Sequence, residues 1–288
     1  MKIRYIGLFF VSLQQKCQYT DMLGAIIGDV IGSRWEFNPT NDYDFEWLSS
    51  RNDFTDDTIC TIAVADALLH GRDFGESIDD WCNRYPFPKG GYGGRFAQWV
   101  FSTNPMPYNS FGNGSAMRVS PVAYWYDEKE KILDAAAATA MPSHNHDEGI
   151  KGAQTTALAI YLAIKERKKS KSISKEQIQT ILDECVKFSN YDIKIRKEDV
   201  INRFDETCQG TVPVALWIIG ESNSFEDAIR KAISLGADAD TLGAIVGGIA
   251  EAIWGIPENL KKDVIGLLPD EMVHVINEFY HFIDYKVE

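Results

Sequence analysis

Apolar positions recur at helical spacing along most of the chain. Leu23, Ile26, Ile27, Val30 and Ile31 share a segment with Gly24, Gly28 and Gly32. Residues four apart lie on one face of a helix, so this spacing predicts a helix with a face thin enough for close backbone packing, and one too short to span a membrane. Ile59, Ile62, Ala63, Asp66, Leu69 and His70 mark a second helix, and Ile150, Ala153, Ala157, Ile160, Tyr161 and Ile164 a third. Both read as core helices. A fourth runs from Leu242 through Ile245, Val246, Ile249 and Ile253 to Trp254, with Gly243, Gly247 and Gly248 on its narrow side, and stops before Pro257. It reads as the centre of the fold. Few alternating apolar and polar runs signal strands.

Two interruptions carry information. Gly90 to Gly94 and Gly112 to Gly114 break the helical pattern where loops carry turns or ligands. The Lys- and Ser-rich stretch between Arg167 and Lys175, with Lys168, Lys169, Ser170, Lys171 and Ser172, reads as a solvated loop between helices and not as a domain boundary. No internal repeat, Rossmann fingerprint or P-loop is present.

At 288 residues and 45% hydrophobic, the chain is able to bury a substantial core. A net charge of −13 argues against a broad phosphate-binding surface, so no general nucleic-acid binding is expected and any anionic ligand must be held locally. Cys17, Cys60, Cys82, Cys185 and Cys208 are odd in number and widely spaced, which points to a reducing, cytoplasmic setting. Residues 1–21 differ in pattern from the rest of the chain: Lys2 and Arg4 precede the apolar stretch Ile6 to Leu13, yet no small-residue cleavage site comes after it. They are expected to be an upstream extension outside the fold, with Met22 opening a single domain over 22–288.

The chemistry concentrates in two acidic clusters, Thr55, Asp56, Asp57 and Thr58 near the front and Asp238, Ala239, Asp240 and Thr241 near the back. Each precedes a helical run. Either alone also reads as a helix cap, because Asp and Thr cap well and first-turn acids suit the helix dipole. A cap needs one side chain, however, and each cluster offers two acids beside a hydroxyl. The surplus carboxylates would repel one another without a cation, and together they form a shell of hard oxygen donors suited to Mg²⁺ or Mn²⁺.

Alongside these clusters, five pieces occur in order: Gly28, Asp29, Gly32, Ser33 and Glu36; Gly91, Tyr92 and Gly93; Ser110 to Arg118; Ser143 and His144; and Gly236 to Thr241. The set resembles the ADP-ribosylglycohydrolase family, which includes dinitrogenase reductase-activating glycohydrolase and the ADP-ribosyl-acceptor hydrolases. The likeness runs from Met22 to about Trp254. It implies an all-α fold, a compact orthogonal helical bundle with a dinuclear metal cleft that receives ADP-ribose. By resemblance, two Mg²⁺ (or Mn²⁺) ions are held by Thr55, Asp56, Asp57, Asp238, Asp240 and Thr241. Glu36 corresponds to the family's mobile glutamate and, with Asp57, is a candidate for acid or base work. Tyr92, Gly93, Ser110, Phe111, Gly112, Asn113, Gly114 and His144 are candidate substrate contacts. The glycines let consecutive amides approach a pyrophosphate, and Phe111 offers an apolar face to ribose or base. Arg118 reads as a buried structural cation, and His146 is left unassigned. Ala239 departs from relatives that carry a polar residue there.

The implied activity is metal-dependent hydrolysis of the bond between ADP-ribose and an acceptor, a protein side chain or a small O-linked group, by a monomer without membrane attachment. Two alternatives stand beside it: a non-catalytic ADP-ribose-binding protein, expected to have lost metal ligands or Glu36, and a metal hydrolase of another ribosylated or phosphorylated small molecule. The acceptor linkage is not readable from the residues.

Overall fold

The computed structural model describes residues 22–287; the expected extension over 1–21, with Cys17, lies outside the described residues. Among them there is no strand, only an isolated bridge between Gly112 and Thr207. In chain order the helices are α1 (Leu23–Gly32), α2 (Asp56–His70), α3 (Phe74–Arg84), α4 (Gly94–Val100) and α5 (Gly114–Met117). They continue with α6 (Ser120–Trp125), α7 (Lys129–Ala140), α8 (Asp147–Lys169), α9 (Lys175–Ser189) and α10 (Lys197–Val200), then α11 (Cys208–Glu221), α12 (Phe225–Ser234), α13 (Ala239–Trp254), α14 (Glu258–Ile265) and α15 (Asp270–Val287). The chain is all-α, an orthogonal helical bundle, and no described helix is long and apolar enough to cross a membrane.

The glycine-spaced helices are α1 and α13, and they lie against each other through their glycines. A side chain on Gly24 would strike the Gly247 carbonyl, one on Gly28 the Gly243 carbonyl, and one on Gly32 the Ala239 carbonyl. Glycine in a helix costs about 1 kcal/mol relative to alanine. Here the loss is offset by dispersion contact along a seam where backbone meets backbone. The register is antiparallel: the C-terminal end of α1 meets the N-terminal end of α13, where the second acidic cluster begins. At the opposite end Met22 supplies no side-chain cap to α1, and the Gly24 N–H donates instead to the buried Glu251 of α13 at 2.8 Å. Every residue of α13 from Ala239 to Ile253 is buried, as expected of a central helix.

A second tie brings α2 to the same place. Asp29, fully buried on α1, accepts from the Thr55 N–H at 3.0 Å and the Thr58 N–H at 3.1 Å, satisfying amides at the start of α2. Both acidic clusters therefore sit beside the C-terminal half of α1. The Lys- and Ser-rich stretch is more ordered than its composition suggests. Arg167, Lys168 and Lys169 form the last turn of α8, where cations suit the dipole, and Ser174 opens α9 in a capping box with Gln177.

Candidate active site

Thr241 Oγ1 donates to Asp57 Oδ2 at 3.2 Å, so the two acidic clusters, 184 residues apart in sequence, are in direct contact. At the first, the cap and the site share atoms. Thr55 Oγ1 accepts from the Asp57 N–H at 3.2 Å and donates to Asp29 Oδ1 at 2.8 Å. At the second, Asp238 occupies the N-cap position of α13 without capping it; its Oδ2 accepts from Asn113 Nδ2 at 2.7 Å. Capping therefore accounts for Thr55 and does not account for Asp56, Asp57 and Asp238.

The acids oppose one another. Burial pushes the carboxyls of Asp56, Asp57 and Asp238 well above the usual range, and the neighbouring Asp240 adds to the rise at each. Asp240 is raised by burial as well. Asp29 reaches about 7, from burial first and Asp240 second. Glu36 reaches about 9, again from burial and then from Asp240, Asp56 and Asp29. Asp57 Oδ1 is buried without a hydrogen-bond partner. A divalent cation would relieve these conditions together, and the donor set, carboxylates with two threonine hydroxyls, is of the hard oxygen type such an ion takes. The carboxylates are not closed about one point: among the described residues no three Asp, Glu, His or Cys side chains form a ready ligand sphere.

Above the acids lies a cleft of about 350 Å³ lined by Glu36, Asp56, Tyr92, Gly93, Ser110, Gly112, Asn113, Gly114, His144, Asp238, Asp240 and Thr241, together with residues not singled out from sequence such as Phe96, Tyr108 and Glu206. Thr55 and Asp57 are absent from this lining and buried. A roomier cavity of about 390 Å³ shares only Asp238 with the acid cluster. Glu36 is half-buried at the cleft wall. Gly90, at φ +80°, makes room for it, since a side chain there would meet Glu36 Oε2 at 2.5 Å.

The glycine loop differs in part from expectation. Two of its amides are engaged within the protein: the Gly112 N–H with Ser110 Oγ at 3.1 Å and the Asn113 N–H with the Glu206 carbonyl at 2.7 Å. The bridge between Gly112 and Thr207 fixes the loop to the start of α11 and turns the Asn113 N–H toward Glu206, while the Gly112 N–H closes a local turn. Phe111 does not line the cleft; it is 42% exposed, its ring edge-on to His146 at 5.3 Å. Asn113 lines the cleft and also joins the loop to Asp238 and to Thr211 Oγ1, the latter at 3.1 Å. Tyr92 lines the cleft with its ring while its hydroxyl donates to the carbonyls of Tyr85 at 2.7 Å and Cys82 at 3.1 Å. His146 caps α8, accepting from the Glu148 N–H. Arg118 is fully buried and donates to the Thr139 carbonyl. Ala239 is fully buried, and its backbone lies against Gly32, where a side chain would strike the Ala239 carbonyl.

Asp29 belongs to the site although only its place in a motif pointed to it. Its signal was an acid in the middle of an otherwise apolar helix, which calls for a partner. Thr211 gave no such signal, because its contact with Asn113 comes only from tertiary folding.

The ADP-ribosylglycohydrolase family model matches residues 21–282. Among curated relatives, ADP-ribosylhydrolase ARH3 of Xenopus tropicalis is 26% identical over 85% of this chain and 90% of its own. ADP-ribosylarginine hydrolase Tri1 of Pseudomonas putida is 25% identical over 84% of this chain and 72% of its own. Among solved structures, an ADP-ribosylglycohydrolase-related protein complex aligns with a TM-score of 0.67 at 23% identity, covering 90% of this chain and 95% of that one, a likeness of fold. With the family model spanning nearly all of its length, the chain belongs to the ADP-ribosylglycohydrolase family and is an enzyme of the glycosyl-hydrolase type.

Proposed function

We propose that the enzyme hydrolyses the bond between ADP-ribose and an acceptor group, using a divalent metal pair held by Thr55, Asp56, Asp57, Asp238, Asp240 and Thr241. The observation that carries this reading is the contact between Thr241 and Asp57, which joins two sets of surplus buried acids at the foot of a cleft. When bound, Mg²⁺ or Mn²⁺ supplies charge neutralisation, a template for vicinal ribose hydroxyls and a more acidic water. The relatives named for ADP-ribosylhydrolase and ADP-ribosylarginine hydrolase activity support ADP-ribose as the glycosyl group.

The chain's own residues divide the remaining work. Asn113 holds Asp238 in place from the glycine loop, so substrate seated on that loop is registered against the acids. Glu36 is the acid or base: it faces Asp240 and Asp56 from the cleft wall, within reach of water and of a departing group in the cleft. Asp57 lies deeper, bonded to both threonines, and acts by orienting the cluster.

The test is release of free ADP-ribose from arginine-linked, serine-linked and O-acetyl conjugates in the presence of Mg²⁺, followed by chromatography. Cleavage of at least one conjugate is expected. Failure on all three, by protein that is folded and loaded with metal, would refute the proposal.

A further inference from the structure

Arg118 lies at the C-terminal end of α5, immediately after the glycine loop, and is among the largest fully buried side chains of the described chain. Its Nη2 donates to the Thr139 carbonyl at 2.8 Å and to Ser143 Oγ at 3.0 Å. Ser143 Oγ in turn lies 2.7 Å from His144 Nδ1. The other ring nitrogen, His144 Nε2, sits over the glycine loop: a side chain on Gly114 would meet it at 3.1 Å and one on Gly112 at 3.4 Å. His144 is buried, between the Phe96 and Tyr108 rings at 6.3 and 6.1 Å, and lines the cleft.

The direction of each of these hydrogen bonds is set by which groups are able to donate. A guanidinium has donors only and keeps its proton at any working pH, so Ser143 Oγ must accept from Arg118. The hydroxyl proton then has one neighbouring acceptor among the bonds that fix this group, His144 Nδ1. The opposite arrangement, Nδ1–H donating to Ser143, would leave a buried hydroxyl proton without a partner, which is costly.

We infer that Arg118 and Ser143 are positioning residues that lock His144 into the neutral tautomer with its proton on Nε2, presenting an N–H donor over Gly112 and Gly114 to an anionic oxygen of the bound diphosphate. The consequence is a donor that does not depend on pH. Burial and the nearby Arg118 charge both hold the imidazole well below its ordinary protonation range, so it stays uncharged. An uncharged donor leaves the charge of the cleft, with Glu36, Asp56, Asp238 and Asp240 beside Arg95 and Arg118 in its lining, unaltered by the ring. It also gives Arg118 a task that its burial alone does not: it holds the Ser143 hydroxyl that sets the ring. The inference rests on ADP-ribose as the ligand, but the tautomer is measurable without it.

The experiment is two-bond ¹H–¹⁵N correlation spectroscopy of the full chain labelled at histidine nitrogens, with the His144 signals assigned by their loss in His144→Gln. The wild-type ring is expected to show an unprotonated Nδ1 and a protonated Nε2. In Ser143→Ala that signature should shift toward the other tautomer or a mixture, and ADP-ribose affinity, read by calorimetric titration, should fall roughly tenfold. A protonated Nδ1 in the wild type overturns the inference, and so does an unchanged tautomer or unchanged affinity in Ser143→Ala. Wild-type protein with the expected tautomer but no affinity for ADP-ribose would instead refute the proposed substrate, leaving the relay itself standing.

Discussion

At the scale of single residues, the site depends on a few side chains whose roles separate by depth. Glu36 lines the cleft, whereas Asp57 is buried and absent from its lining. Glu36→Gln keeps shape and removes only the titratable oxygen, so kcat should collapse while ADP-ribose affinity stays within about tenfold of wild type. Single-turnover kinetics beside calorimetry checks this, and near-normal turnover would take Glu36 out of the chemistry. Asn113→Ala should act differently. It strips Asp238 of its 2.7 Å donor and cuts the link between loop and acids, so metal content and ADP-ribose affinity should fall together. The two clusters were legible in the sequence as acids and hydroxyls in excess of what caps require, and the fold brings them into contact. What was not legible is which partner each donor takes. The Gly112 amide closes a local turn on Ser110, whereas the Asn113 amide meets the Glu206 carbonyl and the Phe111 ring meets His146, contacts that are products of the fold and not of local sequence.

At the scale of elements, the glycine seam between α1 and α13 sets where the acids meet. The four-residue glycine spacing on both helices was readable as a thin face, and the pairing of the two faces follows from each having no other way to bury backbone so closely. The register was not readable, since sliding by one turn preserves the pattern; it is fixed by Gly32 against Ala239 and by Glu251 on the Gly24 amide. Gly28→Ala should therefore cost more than its helix propensity would gain. The new methyl meets the Gly243 backbone, which cannot rotate away, and the loss should be at least about 3 kcal/mol, at the upper end of overpacking effects. Gly94→Ala, at the start of α4 with open space around the new methyl, should be neutral or stabilising by about 0.5 kcal/mol. Thermal or urea unfolding of the pair measures the contrast, and equal stabilities would mean that the seam is not tightly packed.

At the scale of the whole molecule, buried acids make stability depend on pH and on metal. In the metal-free chain Glu36 is raised from 4.5 to about 9 and Asp29 from 3.8 to about 7, with Asp56, Asp57, Asp238 and Asp240 raised as well. Between the unfolded and folded values the native state holds protons that the unfolded chain has released. Stability is thus fully present below the unfolded values and is lost as pH rises through the folded ones. His144 has the opposite sign, its lowered affinity for a proton weakening the fold as pH falls below 6.5, but it is one group against six. The Tm of metal-free protein should fall from about pH 5 to about pH 8, and Mg²⁺ should raise it more at the higher pH, where the ligands are free of protons. A metal-free Tm that rises over this range would show that the acids do not repel in the folded chain.

The proposal that the joined acids hold a divalent ion is tested most directly by turnover with and without metal. Wild-type enzyme acting on a conjugate it cleaves should lose activity in excess chelator and recover it with Mg²⁺ or Mn²⁺, while Asp57→Asn and Asp238→Asn should bind less metal and recover little. Undiminished release of ADP-ribose in chelator, by protein shown to contain no bound metal, would contradict it.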